Sequence, residues 1–416
     1  MTNSMHDEVP CPFCSLACDD LRLDAGLQVA ANGCELARKG FAALNLPAAA
    51  PRIAGKSAAL AAATARAAQL LGQSRLPLFG GLATDVAGMR ALLDLADRCG
   101  AVVDPLHGRA LMRNVLALQD SGWLTTTLSE IKNRADLLIF AGTDAVSRFP
   151  RFFERCVWNR EALFDHGGRE IIYLGRGLNT AAGVAPDGRQ PALIDCDITR
   201  IGELTAALRA LIAGKTLQAG SAAGVPLAQL QKLAARMQRA RYGVLVWSVA
   251  DFEFAHAELA VQSLCELIKD LNHATRFSGF PLGGNDGGMT ASQVCAWQSG
   301  YPARIGFGRG HPEYDPHLFD CARLLEAGEA DFLLWSSSFK AQHTPPASGV
   351  PTVVLGVSGM RFEREPEVYI PVATPGLDHS GHAYRVDNVV ALHLKKLRDS
   401  PLPSVAAVVN MIGNKS

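Results

Sequence analysis

Seven short apolar runs recur along the chain, at Leu76–Gly80, Leu137–Gly142, Ile171–Gly175, Gly243–Ser248, Phe332–Ser336, Thr352–Gly356 and Val368–Val372. Each is too short for a helix and is apolar at successive rather than alternate positions, and most close on glycine or a small polar residue. Such a run buries both of its faces, which predicts parallel strands covered by helices on either side. Between them the spacing of apolar residues predicts helices over Val86–Cys99, Ile201–Ile212, Leu227–Arg239 and Glu258–Leu271. An Ala-rich helix is expected from Ser57 to Leu71, stopped by Gly72. The alternation predicts an α/β fold of open, mostly parallel sheets with right-handed crossovers. No internal repeat is apparent.

The first fifty residues read differently. Leu21 to Val29 alternates about a glycine-containing turn and predicts a hairpin, Cys34 opens a short helix through Phe41, and Pro47 and Pro51 mark an exit. A small Cys-rich module over 1–50 is therefore expected, followed by an α/β domain over 51–220 rejoined by about 330–416, with a second α/β domain over 221–330. The Gly/Ala-rich stretch Ala213–Val225 suggests the boundary. Phe280–Met289 holds four glycines and a proline, and reads as a loop where backbone approaches a ligand or partner, or as an ordinary surface connection.

Composition narrows the function. With 416 residues and 48% hydrophobic content the chain buries a large core. Forty basic residues cancel forty acidic ones, which argues against a protein that binds nucleic acid by neutralising phosphates. Met1–Pro10 lacks the apolar core of a signal peptide, and no apolar stretch is long enough to cross a bilayer, so no membrane association and a cytoplasmic location are expected. The ten cysteines then stay thiols. Cys99, Cys156, Cys196, Cys265, Cys295 and Cys321 stand singly and read as small buried hydrophobes.

The other four are clustered. Cys11, Cys14 and Cys18 lie in one loop and Cys34 follows the hairpin, a spacing unlike a ferredoxin run or a two-pair zinc ribbon. Soft thiolates select zinc or an iron–sulfur cluster, and the residues alone leave a [4Fe–4S] centre and zinc both open. Competing motifs are weak or missing. Gly306-Phe307-Gly308-Arg309-Gly310 has no phosphate-loop lysine, Gly80-Gly81 lacks the further glycines of a dinucleotide fingerprint, and no nucleophile elbow occurs. His379 and His382 stand in a polar loop, where turn histidines are commoner than metal ligands.

Several stretches in order resemble the B subunit of formylmethanofuran dehydrogenase, within the molybdopterin oxidoreductases. They are Cys11-Pro12-Phe13-Cys14 through Cys18-Asp19-Asp20, Asn32-Gly33-Cys34, His107-Gly108, Leu118–Gly122, Glu130–Asp136, Gln293–Pro302 and Gly381–Asp387. The resemblance covers nearly the whole chain and implies a molybdopterin-oxidoreductase-like fold of the formate dehydrogenase type. It implies a cavity near His107, Arg109, Asn114 and Lys132, with His107 and Arg109 as vestigial cofactor-binding residues and none of them catalytic. It also implies a cysteine or selenocysteine metal ligand just before His-Gly, yet Leu106 stands there. An isobutyl group donates no lone pair, so a molybdenum or tungsten pterin is not expected. The matching branch is the formyltransferase/hydrolase complex of tetrahydromethanopterin-linked formaldehyde oxidation in methylotrophs. The expected partners are A (amidohydrolase) and C subunits, a formyltransferase and a methanofuran-like carrier. The metal at Cys11, Cys14, Cys18 and Cys34 is then a [4Fe–4S] cluster, zinc or none. The alternative is a redox B subunit with a tungsten or molybdenum pterin.

Overall fold

The computed structural model describes residues 5–159, 161–164 and 168–415. Contacts divide the chain into two compact units, Met1–Gly108 with Gly284–Ser416, and Arg109–Gly283. All seven apolar runs form strands, but strand pairing cuts the chain at other places than 50, 220 and 330. The first unit's sheet draws strands from both ends of the sequence, so the whole of 109–283 folds as one insertion between them.

The first unit is built on a nine-stranded sheet. Its centre is five parallel strands in the order Val102–Pro105, Pro77–Ala83, Phe332–Ser337, Thr352–Gly356, Val368–Pro371. Short antiparallel strands close both edges, Ile305–Gly306 and Glu313–Tyr314 on one side, Arg52–Ile53 and Lys56–Ser57 on the other. Lys56–Ser57 being a strand, the Ala-rich helix starts later than expected and spans Leu60–Gln73. The helix Val86–Cys99 forms as predicted, with Asp85 capping its first turn by accepting from the Gly88 amide at 2.9 Å. Apolar residues of these helices and of Val405–Gly413 pack with the strands in one core.

The N-terminal segment gives the expected hairpin, Leu21–Leu23 against Val29–Ala31, with His6–Val9 added along its edge. Cys34 caps the helix Glu35–Leu44. Phe13, fully buried in the cysteine loop, meets Phe41 of that helix edge-on at 4.9 Å, a pairing worth about 1 kcal/mol beyond burial. The contact needs Gly40, since a Cβ there would stand 2.5 Å from the Phe13 ring.

The second unit holds five parallel strands, Ala192–Ile194, Glu170–Leu174, Leu137–Ala141, Gly243–Ser248 and Phe277–Leu282 in spatial order. Helices Ile201–Ile212, Leu227–Arg239 and Ala257–Leu271 share its core. Phe277–Leu282 was not foreseen, and it shortens the expected 280–289 loop from its front end. Both sheets reverse strand order once, between Pro77–Ala83 and Phe332–Ser337 in the large one and between Leu137–Ala141 and Gly243–Ser248 in the small one. No helix among the described residues is long and apolar enough to cross a membrane.

Candidate functional site

In an open parallel sheet, chains leave the carboxyl ends of two neighbouring strands in opposite directions at the reversal of strand order, and the gap between them is where ligands bind. In the large sheet that gap lies beyond Ala83 and Ser337. Ser338 bridges it, donating from its amide and hydroxyl to the Ala83 carbonyl at 2.8 and 2.9 Å. The next strand, Val102–Pro105, runs into Leu106, whose amide donates to the Gly81 carbonyl at 2.9 Å. Gly108 then starts the helix Gly108–Ser121, at a position where a Cβ would stand 2.1 Å from Asp104 Oδ1. His107 is thus presented, half exposed, at the rim of the gap.

The glycine-rich loop supplies the centre. Gly287, with a positive φ of 77°, packs so closely on the strand end that a Cβ would meet the Thr84 nitrogen at 3.0 Å. Beside it Asp286 also lies in the left-handed region, with φ 58°, and is buried. Three basic side chains surround its carboxylate. Lys340 Nζ lies 2.5 Å from Oδ1, His107 Nε2 3.3 Å from Oδ2, and His343 Nε2 3.8 Å from Oδ2. The two imidazoles stand nearly perpendicular, 6.1 Å apart.

Burial alone would raise the Asp286 pKa, but the His107 hydrogen bond and the Lys340 charge outweigh it, and the carboxyl titrates below the usual carboxylate range. His343 is shifted down, chiefly by burial and further by Lys340 and His107, with Asp286 pulling the other way. Its Nδ1 is buried without a hydrogen-bond partner among the described residues. The result is a fixed carboxylate bridging a partly buried ammonium and an accessible imidazole. It can orient the His107 ring and hold a proton at Nε2.

The cysteine loop adjoins this centre. Ser15 donates to Asn285 Oδ1 from its amide at 2.9 Å and its hydroxyl at 3.2 Å, and its carbonyl accepts from the Val386 amide at 2.7 Å. The loop closes on itself through the Cys11 amide and Cys18 carbonyl at 2.8 Å. Burial pushes the Cys14 thiol up to about 11, with the Lys340 charge acting in the opposite direction. Burial raises Cys11 well above its ordinary value, and the other three cysteines of the quartet add to that rise. The donor chemistry suits a soft metal. Among the described residues, however, no set of three or more His, Cys, Asp or Glu side chains is gathered so as to hold a metal ion.

Arg109 is exposed in the first turn of the helix Gly108–Ser121 and belongs to the second unit. Asn114 is buried in that unit and accepts from Trp247 Nε1 at 2.9 Å, a packing role. Lys132 pairs with exposed Glu161 at 3.6 Å. His379 bonds the Ser380 carbonyl at 2.9 Å, while His382 faces His393 across the hairpin Gly381–Tyr384/Ala391–Leu394, so the pair does not converge. Gly306 ends a short antiparallel strand held between Val102–Pro105 and Glu313–Tyr314. Of the six single cysteines, four are buried and Cys99 and Cys321 are partly exposed. Asp286 sits in the loop flagged from sequence, whereas Lys340 and His343 carry no local signal at all.

A doubly wound α/β subunit with a charged centre at its strand reversal is the class these observations define. No protein-family model matches the chain. It is 32% identical over 340 residues to the B subunit of the formyltransferase/hydrolase complex Fhc of Methylorubrum extorquens, covering 79% of this chain and 86% of that one. It is 29% identical over 414 residues to the B subunit of the tungsten-containing formylmethanofuran dehydrogenase 2 of Methanocaldococcus jannaschii, covering 94% of each. Its fold matches a chain in the crystal structure of the M. extorquens formyltransferase/hydrolase complex FhcABCD with methylofuran, at a TM-score of 0.74 and 30% identity over 88% of this chain and 98% of that one. The chain belongs to this B-subunit family, which formyltransferase/hydrolase complexes share with formylmethanofuran dehydrogenases.

Proposed function

We propose that this chain is the non-redox B subunit of a formyltransferase/hydrolase complex, acting in tetrahydromethanopterin-linked oxidation of formaldehyde to formate. It supports transfer of a formyl group to a methanofuran-like carrier and hydrolysis of that group in an amidohydrolase-type A subunit, with C and formyltransferase subunits as further partners. Leu106 carries the reading. In the redox branch a thiolate or selenolate precedes His-Gly, and here that position offers a hydrocarbon with no lone pair. His107 in turn is engaged by Asp286. The residues present do not fit a protein-ligated molybdenum or tungsten pterin. A molybdopterin-oxidoreductase-like ancestry accounts for a crevice at the strand reversal.

The charged centre then has a structural task. Lys340 neutralises Asp286 and closes the gap between strand ends around it, leaving His107 at the rim. The cysteine quartet belongs to the same proposal. Coordination needs thiolates, and burial holds Cys11 and Cys14 as thiols, so binding zinc or a cluster costs their deprotonation. Metal analysis reads the outcome: iron with acid-labile sulfide marks a cluster, zinc alone a staple, and neither marks four packed thiols. The tungsten-named relative together with the four cysteines favours a second reading, a redox B subunit.

Assaying the purified complex separates the two readings. The first expects formate release from the formylated carrier with no electron acceptor present. Dependence of turnover on a viologen, with electrons recovered in stoichiometric yield, would establish the second.

A further inference from the structure

The second unit has a concavity that the function above leaves unused. A cavity of about 510 Å³ opens where Asp136, Glu170 and Ala240 lead into three adjacent strands. These are the amino ends of the strands, the edge opposite to the carboxyl-end crevice where doubly wound sheets hold their ligands. The volume lies within the range of small-molecule sites.

Its lining is strongly basic. Four arginines, Arg169, Arg189, Arg236 and Arg239, line the cavity together with Asp136 and Glu170. Both acids are already engaged. Asp136 accepts from the Arg241 and Tyr242 amides at 2.8 and 2.9 Å, and Glu170 lies 3.2 Å from Arg236. Arg189 is held by Asp187 at 2.8 Å and lies over Gly168, where a Cβ would come within 2.7 Å of its Nη2. Arg169 is buried, and its guanidinium is fixed by the carbonyls of Cys156, Val157 and Lys132. Exposed Arg239 has no ion-pair partner among the described residues.

Two arginines in the last turn of Leu227–Arg239 are explained in part by the helix dipole. That does not account for Arg189, which reaches the same cavity from a loop, while Arg169 backs it with a guanidinium held by backbone carbonyls. Exposed guanidinium groups from two separate elements, with Asp136 engaged by backbone amides and Arg239 outside any ion pair among the described residues, form an arrangement that recognises planar oxyanions through forked N–H donors. Trp158, fixed by its indole N–H on the Ala182 carbonyl at 2.8 Å, adds one flat wall.

We propose that this cavity binds a small polyanion carrying two or more phosphate or carboxylate groups. Isothermal titration of the full chain in its complex, at low ionic strength, uses tripolyphosphate and citrate as probes. Saturable binding of at least one of them, at one site per chain, is expected. Arg239→Glu and Arg189→Glu should each weaken it about tenfold or more, with Arg239→Gln intermediate, as loss of a charge-assisted contact predicts. Both side chains are exposed, so charge reversal leaves the fold intact. Arg75→Glu, at an exposed arginine of the other unit, should leave affinity unchanged. Preference for tripolyphosphate assigns a phosphorylated ligand and preference for citrate a polycarboxylate. Failure of both probes to bind, or wild-type affinity in both Arg→Glu variants, would overturn the proposal.

Discussion

Two buried carboxylates flank the Leu106–His107 turn in the first unit, and their surroundings drive them in opposite directions. Asp286 has one ammonium and two imidazoles around it and no competing acid, and it titrates low. Asp104 shares the single guanidinium of Arg304 with Asp320, and burial pushes it up to about 7 despite that partner and the Cys321 amide. Burial opposes ionisation at both sites, and at Asp286 three basic groups outweigh it where the one shared guanidinium at Asp104 does not. The difference also separates roles. The Asp104–Arg304–Asp320 triad is closed on all sides and pins the strand end that leads to Leu106, whereas the Asp286 cluster reaches solvent through His107.

Breaking the Asp286 hub gives the largest expected effect. Asp286→Ala leaves the partly buried Lys340 without its counter-ion, which costs about 2 kcal/mol and shows as a fall in the denaturant midpoint. Asp286→Leu with Lys340→Met should recover much of that loss, because both members of the pair are then removed.

The pH dependence sharpens the contrast, since the two acids have opposite signs. Native Asp286 releases its proton more readily than the unfolded chain does. Its contribution is therefore present above the ordinary aspartate range and is lost as pH falls through its lowered native pKa. Native Asp104 instead binds a proton that the unfolded chain has released between about pH 4 and its native pKa of about 7, so its contribution declines as pH rises across that window. Asp104→Asn keeps an acceptor for the Cys321 amide, and its stability relative to wild type should climb from pH 4 to 7 in thermal melts. A flat difference would mean that Arg304 keeps Asp104 ionised.

Smaller effects test the cluster's edges. Lys340→Met should raise the His343 pKa, read from its imidazole resonances, because the ammonium opposes protonation of that ring. Ser15→Ala removes one of the two hydrogen bonds to Asn285 and should cost about 1 kcal/mol, checked by chemical denaturation.

The fold was legible wherever burial is two-sided, because strands such as Leu137–Ala141 and Thr352–Gly356 are apolar throughout. Val102–Pro105 escaped notice because Asp104, Pro105 and its shortness mask the pattern. The helix Gly288–Ser299 escaped because it buries Thr290 and Ser292 as well as Val294, which leaves no apolar stripe to read. The unit boundary at Gly108 falls just inside a helix, with no proline or glycine-rich linker to betray it. At the site, Leu106 and His107 were legible as a motif. Lys340 and His343 were not, since only the pairing of Pro77–Ala83 with Phe332–Ser337 brings the chain after Ser337 to the gap.

The central claim of the proposed function is that this crevice works without a redox metal because Leu106 stands at the position of the thiolate ligand that the resemblance implies. Quantifying tungsten, molybdenum and pterin in the complex purified without air tests it most directly. The account predicts substoichiometric traces at most and no bound pterin, whereas one pterin-bound tungsten or molybdenum per copy of this chain would contradict it.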